Sequence, residues 1–112
     1  MQEYNIKDHV RGDTFRELEF VVSVNGTLLD LSNAIIKIDF RTNPADNKAK
    51  LSLSSPSNGI TIGEEPGSFK IDEQIIDITP GKYHYDIEFN LENKIKTYIY
   101  GEFNVLQDIT RS

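Results

Sequence analysis

The chain has 112 residues, of which 38% are hydrophobic and 27% are charged, and this composition predicts one globular domain rather than a disordered polymer. Its 18 acidic residues outnumber its 12 basic residues, giving a net charge of −6, so nucleic acid is not an expected partner. The absence of cysteine excludes disulfides and cysteine-based zinc sites, and no apolar run approaches the length of a membrane-spanning helix.

The first half of the chain alternates between apolar and polar residues, which is typical of β-strands. In the strand predicted over 14–24, the apolar positions 18, 20, 22 and 24 share one face. Asn25 and Gly26 then favour a type I′ hairpin turn, with a short returning strand over 28–31. A second clear strand is predicted over 34–41. After a loop over 42–48, alternation resumes at Leu51 and Leu53 and is followed by a turn over 54–59.

The second half predicts a hairpin from residues 60–62 and 68–72, followed by two long strands. Only residues 73–78 have an apolar spacing that does not suit a strand, and one helical turn is expected there. Residues 83–89 give the strongest strand pattern and are expected in the middle of a sheet. The last strand, 95–105, contains Gly101, which we interpret as a bulge or bend.

Together these elements predict an all-β fold, an antiparallel two-sheet sandwich of seven to eight strands with immunoglobulin-like topology. One domain is expected to span residues 1–112. The segments 1–12 and 109–112 are candidates for mobile arms at the two ends of this domain.

No catalytic, cofactor or metal site is predicted. His9 and His84 are the only histidines, and each is isolated, so we interpret both as surface residues. Carboxylate pairs on one strand face, such as Glu17 with Glu19, can act as acid and base. The favoured interpretation is a solvated face on which the charges oppose edge pairing.

Residues 11–13 form the tripeptide Arg-Gly-Asp that integrins bind. Three residues occur by chance too often to indicate such a function, and Gly12 has a structural reason in turning the chain. We therefore do not predict a receptor site here.

The best candidate for contact with a partner is the outward face of the last strand. Alternation over 95–105 predicts that Lys96, Tyr98, Tyr100 and Glu102 share this face, and tyrosine is favoured at protein interfaces. The alternative is that the second sheet or a loop covers this side. Unpaired strand edges offer a further mode of binding.

The order of several short motifs resembles small immunoglobulin-like modules of tailed-phage structural proteins, including the N-terminal domain of the baseplate upper protein family. The resemblance covers nearly the whole chain and rests on Arg-Gly-Asp-Thr at 11–14 and on residues 29–34, 58–62, 80–87, 101–105 and 108–111. Baseplate upper proteins continue into a stalk that anchors receptor-binding proteins, whereas this sequence ends at Ser112. The resemblance therefore implies a small tail, baseplate, neck or head-decoration component.

This resemblance implies a non-enzymatic virion protein that is made in the bacterial cytoplasm and assembles with other virion proteins, with a homo-oligomer left open. Neither a nucleic acid nor a membrane is an expected partner, and the N-terminus does not predict a secretion signal. One alternative is a ligand-binding sandwich such as a carbohydrate-binding module, against which the lack of tryptophan argues. Another is a small hydrolase with paired acids, which would need a pocket that so small a sandwich rarely encloses.

Overall fold

The computed structural model describes residues 2–43, 45 and 48–108, and every regular element among them is a β-strand. The strands are β1 (Gln2–Glu3), β2 (Ile6–Val10), β3 (Thr14–Phe15), β4 (Leu18–Val21), β5 (Ser23–Val24), β6 (Thr27–Leu28), β7 (Ile35–Arg41), β8 (Leu51–Ser54), β9 (Ile60–Ile62), β10 (Ser68–Ile71), β11 (Gln74–Ile75), β12 (Gly81–Leu91) and β13 (Lys94–Leu106). The predicted all-β class is therefore confirmed.

The larger sheet has six strands in the order β1, β13, β12, β7 and β8, with β2 also pairing with β13. Strand β12 lies between β13 and β7, as its strong alternation predicted. Its inward side chains are almost fully buried, and they are Tyr83, Tyr85, Ile87 and Phe89. The predicted strand over 34–41 is also confirmed as β7, whose positions 36, 38 and 40 are buried.

The smaller sheet has three strands in the order β4, β10 and β9, and the predicted hairpin from 60–62 and 68–72 forms its β9 and β10. The short strands also form two separate pairs, β3 with β11 and β5 with β6. The rings of Phe69 on β10 and Phe89 on β12 have centroids 5.5 Å apart, so the apolar faces of the two sheets meet. This arrangement is consistent with a β-sandwich.

The turn predicted at Asn25 and Gly26 joins β5 to β6. Both residues have positive φ angles, 54° and 81°, as a type I′ hairpin turn requires. The returning strand is shorter than expected, because only Thr27 and Leu28 pair with β5.

The helical turn predicted over 73–78 is wrong. Residues Gln74–Ile75 form β11, which pairs antiparallel with β3. The two adjacent isoleucines suggested a helical spacing, yet in the extended backbone Ile75 is exposed and Ile76 is buried in the core. Pairing with a distant segment thus decided the conformation of this stretch.

Residues 2–10, predicted as part of an arm, instead form β1 and β2. Both strands pair in parallel with β13, and Ile6 of β2 is buried in the core. The partner strand is nearly the whole chain away in sequence, so the local pattern did not indicate this pairing. Met1 and the predicted C-terminal arm, 109–112, lie outside the described residues.

Candidate protein-binding surfaces

A β-bulge in β13 determines which side chains face which way at the candidate contact site. Ile87 of β12 pairs with Ile99, but the next residue, Glu88, pairs with Thr97, so Tyr98 is an extra residue in β13. The sequence placed this irregularity at Gly101. One extra residue reverses the alternation, and Ile95, predicted to face inward, is consequently 63% exposed.

The structure therefore separates the four predicted contact residues. Tyr100, which is 39% exposed, and Glu102 lie on the side of the large sheet that faces away from the small sheet. Tyr98 points the other way and packs against the core, with its ring centroid 5.5 Å from that of Phe89. Lys96 is the ladder partner of the buried Phe89 and lies exposed at the border of the inner face. The prediction that all four share one face is wrong because of the bulge.

Gly101 has a different role, which is to admit the N-terminal segment. A Cβ atom at this position would overlap the carbonyl oxygen of Tyr4. The same carbonyl accepts a hydrogen bond from the buried hydroxyl of Tyr85, and burial raises the pKa of that phenol far above its ordinary value. The side chain of Asn5 accepts a bond from the Glu102 N–H at 3.0 Å. These contacts fix the chain between β1 and β2 against β13.

A groove of about 640 Å³ opens between the two sheets, next to the place where Tyr4 packs against β13. We call it the inter-sheet groove. The ring of Tyr4 meets that of Phe20 edge to face, with centroids 5.5 Å apart. One wall is the continuous stretch 19–24, and the other is formed by Gln2, Tyr4, Tyr98 and Ile99. Because six consecutive residues line one wall, the groove follows the backbone of β4 and β5.

Strand β4 is an edge of the small sheet, and half of its backbone groups point into the groove. Val22 donates its N–H to the Gly67 carbonyl at 2.9 Å, which fixes the phase of the antiparallel ladder with β10. Leu18 and Phe20 therefore bond to β10, whereas the N–H and C=O groups of Glu19 and Val21 point away from it. Neither residue makes a backbone hydrogen bond on that side within the described part of the chain.

The second candidate surface is the outer face of the large sheet, defined by Lys37, Asp39 and Arg41 of β7, His84 and Asp86 of β12, and Tyr100 and Glu102 of β13. Asp39 accepts hydrogen bonds from Ser52 at 2.7 Å and from Arg41 at 3.1 Å. Glu102 pairs with Lys82 at 3.2 Å. Side chains fixed in this way present a preorganised polar surface.

Asp86 lies at the centre of the outer face, directly opposite Asp39 on β7 and Tyr100 on β13. Burial raises the pKa of Asp86; the Arg41 charge lowers it, and the facing Asp39 carboxylate raises it. Like charges directly opposite each other destabilise a sheet, so the Asp39–Asp86 pair lowers the stability of the isolated protein. A shallow cavity of about 260 Å³ lies over it.

The other residues considered in the sequence have structural partners. Arg11 pairs with Asp77 at 2.8 Å, and Gly12 has a φ of 86° and donates its N–H to the Ile76 carbonyl, which confirms its role in turning the chain. His9 is half-buried, with its ring centroid 5.5 Å from that of Phe15. Within the described ranges, no three acidic, histidine or cysteine side chains are grouped closely enough to bind a metal ion.

Sequence reasoning missed Tyr4, whose side chain and backbone both shape the inter-sheet groove. Alternation of apolar residues at positions 4, 6 and 10 was the available sign that this segment forms a strand. The opposite wall was foreseen in part, because positions 18, 20, 22 and 24 face inward as predicted.

Comparison with known proteins finds no matching family model, no matching curated protein and no matching solved structure. In the part of the chain that the structure describes, no helix has the length and apolarity to cross a bilayer.

Proposed function

We propose that the two sheets form an immunoglobulin-like sandwich. The order β13, β12, β7 and β8 corresponds to strands G, F, C and C′ of a variable-type immunoglobulin domain, and β4, β10 and β9 correspond to B, E and D. Tyr83 supports the same assignment. It lies near the start of β12, and its hydroxyl donates to the carbonyl of Thr79 just upstream, as in the tyrosine corner of these domains.

We further propose that the protein is a non-enzymatic assembly module of a tailed-phage particle, which acts by binding other virion proteins. The observation that carries this proposal is the unpaired edge of β4 along the inter-sheet groove. An edge with free backbone groups beside an aromatic-lined groove suits the addition of a strand from another protein. The order of short motifs that resembles phage modules is the reason for proposing a phage particle as the setting.

The proposal is tested first on particles. Virions produced from a genome that encodes this chain are purified on a density gradient and analysed by quantitative mass spectrometry. We expect the protein to co-sediment with the particles in a fixed ratio to the other structural proteins. Its absence from particles, with abundant protein in the lysate, would contradict the virion role.

The isolated chain supplies a second test, by light scattering over a range of concentrations. A discrete oligomer would show that copies of the chain bind one another, as in a ring or fibre. A constant monomer mass would assign the partner to a different protein, to be identified by crosslinking in the particle. Catalytic turnover of a small substrate would contradict the non-enzymatic role.

A further inference from the structure

We infer that the inter-sheet groove binds an extended segment of a partner protein as an added strand beside β4, with apolar side chains facing inward and lysine or arginine facing outward. This inference rests on the proposed assembly function and specifies its partner. Three independent features of the described residues carry it: the backbone of β4, the lining of the groove and the charge on the outer side of the strand.

The backbone supplies the pairing groups. Glu19 and Val21 point both their N–H and C=O groups away from β10, so a neighbouring strand can form four hydrogen bonds with these two residues. The wall formed by residues 19–24 would be about 20 Å long at ~3.3 Å per extended residue. A segment of roughly six residues therefore matches the groove.

The lining determines the inward side chains of the partner. Phe20 and Val22 project from the β4 side towards the interior, and Tyr4 and Tyr98 form the opposite wall. Both tyrosines are partly exposed, so apolar side chains inserted here would cover aromatic surface that now contacts water. Alternate residues of the added strand are thus expected to be valine, isoleucine, leucine or aromatic.

The charge on the outer side of β4 determines which outward-facing side chains the partner segment is expected to carry. On the outer side of the small sheet, the edge carries Glu17 and Glu19, both exposed. Lys70 of β10 is the cross-strand partner of Glu19, but its ammonium pairs with Glu17 at 3.2 Å. Glu19 accepts the hydroxyl of Ser68, also on β10, at 3.1 Å, and among the described residues it forms no ion pair. A cationic residue opposite Glu19 would form a favourable cross-strand pair, and the net charge of −6 attracts such a segment over longer range.

The test uses the full chain and a synthetic peptide of sequence Lys-Val-Lys-Val-Lys-Val-Lys, titrated at low salt and followed by amide NMR. We expect saturable shifts confined to residues 19–24 and the facing Tyr4 and Tyr98, with slowed hydrogen exchange at Glu19 and Val21. Saturable shifts at the outer face instead, or none at all, would overturn the inference.

Two control peptides test the backbone pairing and the charge preference separately, with the protein unchanged. N-methylation of two amides that face β4 should weaken binding roughly tenfold or more, because each methyl group removes a backbone hydrogen bond. Replacing lysine by glutamate should weaken binding by at least a similar factor. Equal affinity of the methylated peptide would overturn strand addition, and equal affinity of the acidic peptide would overturn the charge preference.

A matched pair of protein variants tests the location. Glu19→Gln should weaken binding of the lysine peptide about two- to fivefold, whereas Glu88→Gln, on the outer face of the large sheet, should leave it unchanged. Equal effects of the two substitutions would mean that the peptide does not bind beside β4. The peptide titration and the particle analysis can fail independently. If the peptide does not bind but the protein is found in particles, this partner is rejected and the proposed function stands.

Discussion

Gly101 is the residue on which the position of the N-terminal strands most directly depends. Ala at this position would place a methyl group against the Tyr4 carbonyl, which is backbone and also bonded to Tyr85. We expect Gly101→Ala to reduce the free energy of unfolding by about 1–3 kcal/mol, as overpacking does elsewhere.

Chemical denaturation of both proteins measures this loss. Lys96→Ala, an exposed change on the same strand, serves as the control and should alter stability by less than about 0.5 kcal/mol. Equal stability of the Gly101 variant and the parent would mean that the N-terminal segment does not pass as closely as described.

Asp86 makes the stability dependent on pH. Because burial raises the pKa of this carboxyl, the folded state binds its proton more tightly than the unfolded state. Protonated Asp86 therefore contributes to the free energy of unfolding at low pH. This contribution is lost as the pH rises through the ordinary carboxyl range towards neutrality.

Asp86→Asn should therefore raise the melting temperature at pH 7 and leave it nearly unchanged at pH 3, where the native residue is protonated in both states. Thermal unfolding of the parent and variant at the two pH values measures the difference. A variant that is stabilised equally at both would show that titration of Asp86 is not the cause.

At the scale of the element, the bulge at Tyr98 explains what the sequence could and could not predict about the candidate site. Alternation placed Tyr100 and Glu102 on the outer face, and the structure agrees. Positions 95, 97 and 99 continue the alternation seen at 101, 103 and 105. Nothing in the local pattern therefore indicated that the pairing register between β12 and β13 shifts at Tyr98. The groove wall at residues 19–24 was predictable as an amphipathic strand, but its open edge depends on where β1 and β2 pair.

Separate substitutions of the two tyrosines distinguish the two surfaces. Tyr98→Ser should lower stability by about 1–3 kcal/mol, because a partly buried ring that packs on Phe89 is removed. Tyr100→Ser should cost less than about 1 kcal/mol, since this ring lies on the exposed face. Denaturant unfolding of both variants gives the comparison, and a larger cost at Tyr100 would contradict the bulge.

At the scale of the whole molecule, local alternation predicted the long central strands, but it predicted neither the short strands β1, β2 and β11 nor which strands pair with each other. Strands β7 and β12 were predicted with their faces correct, because apolar side chains alternate without interruption there. The parallel pairing of β1 and β2 with β13 and the pairing of β3 with β11 join segments far apart in sequence. Such pairings are selected by the shared core, to which Ile6 and Phe15 both contribute.

Removal of residues 1–10 tests the N-terminal pairing. The shortened protein loses Ile6 from the core and leaves the β13 edge unpaired, so we expect a lower melting temperature and a mass that increases with concentration. Thermal unfolding and light scattering measure both effects, with Lys7→Ala as a control that retains the strands. A truncated protein with unchanged stability and constant mass would show that β1 and β2 are dispensable.

The parallel pairing of the N-terminal strands with β13 also constrains the order of events during synthesis. Gln2 pairs with Ile99, so the first strand of the chain cannot find its neighbour until almost the last strand has been translated. At ~5–20 residues per second this delay is roughly 5–20 s, during which Ile6 and the inward side chains of the earlier strands remain uncovered. The large sheet therefore remains incomplete until β13 has been synthesised, and Ile6 can enter the core only then.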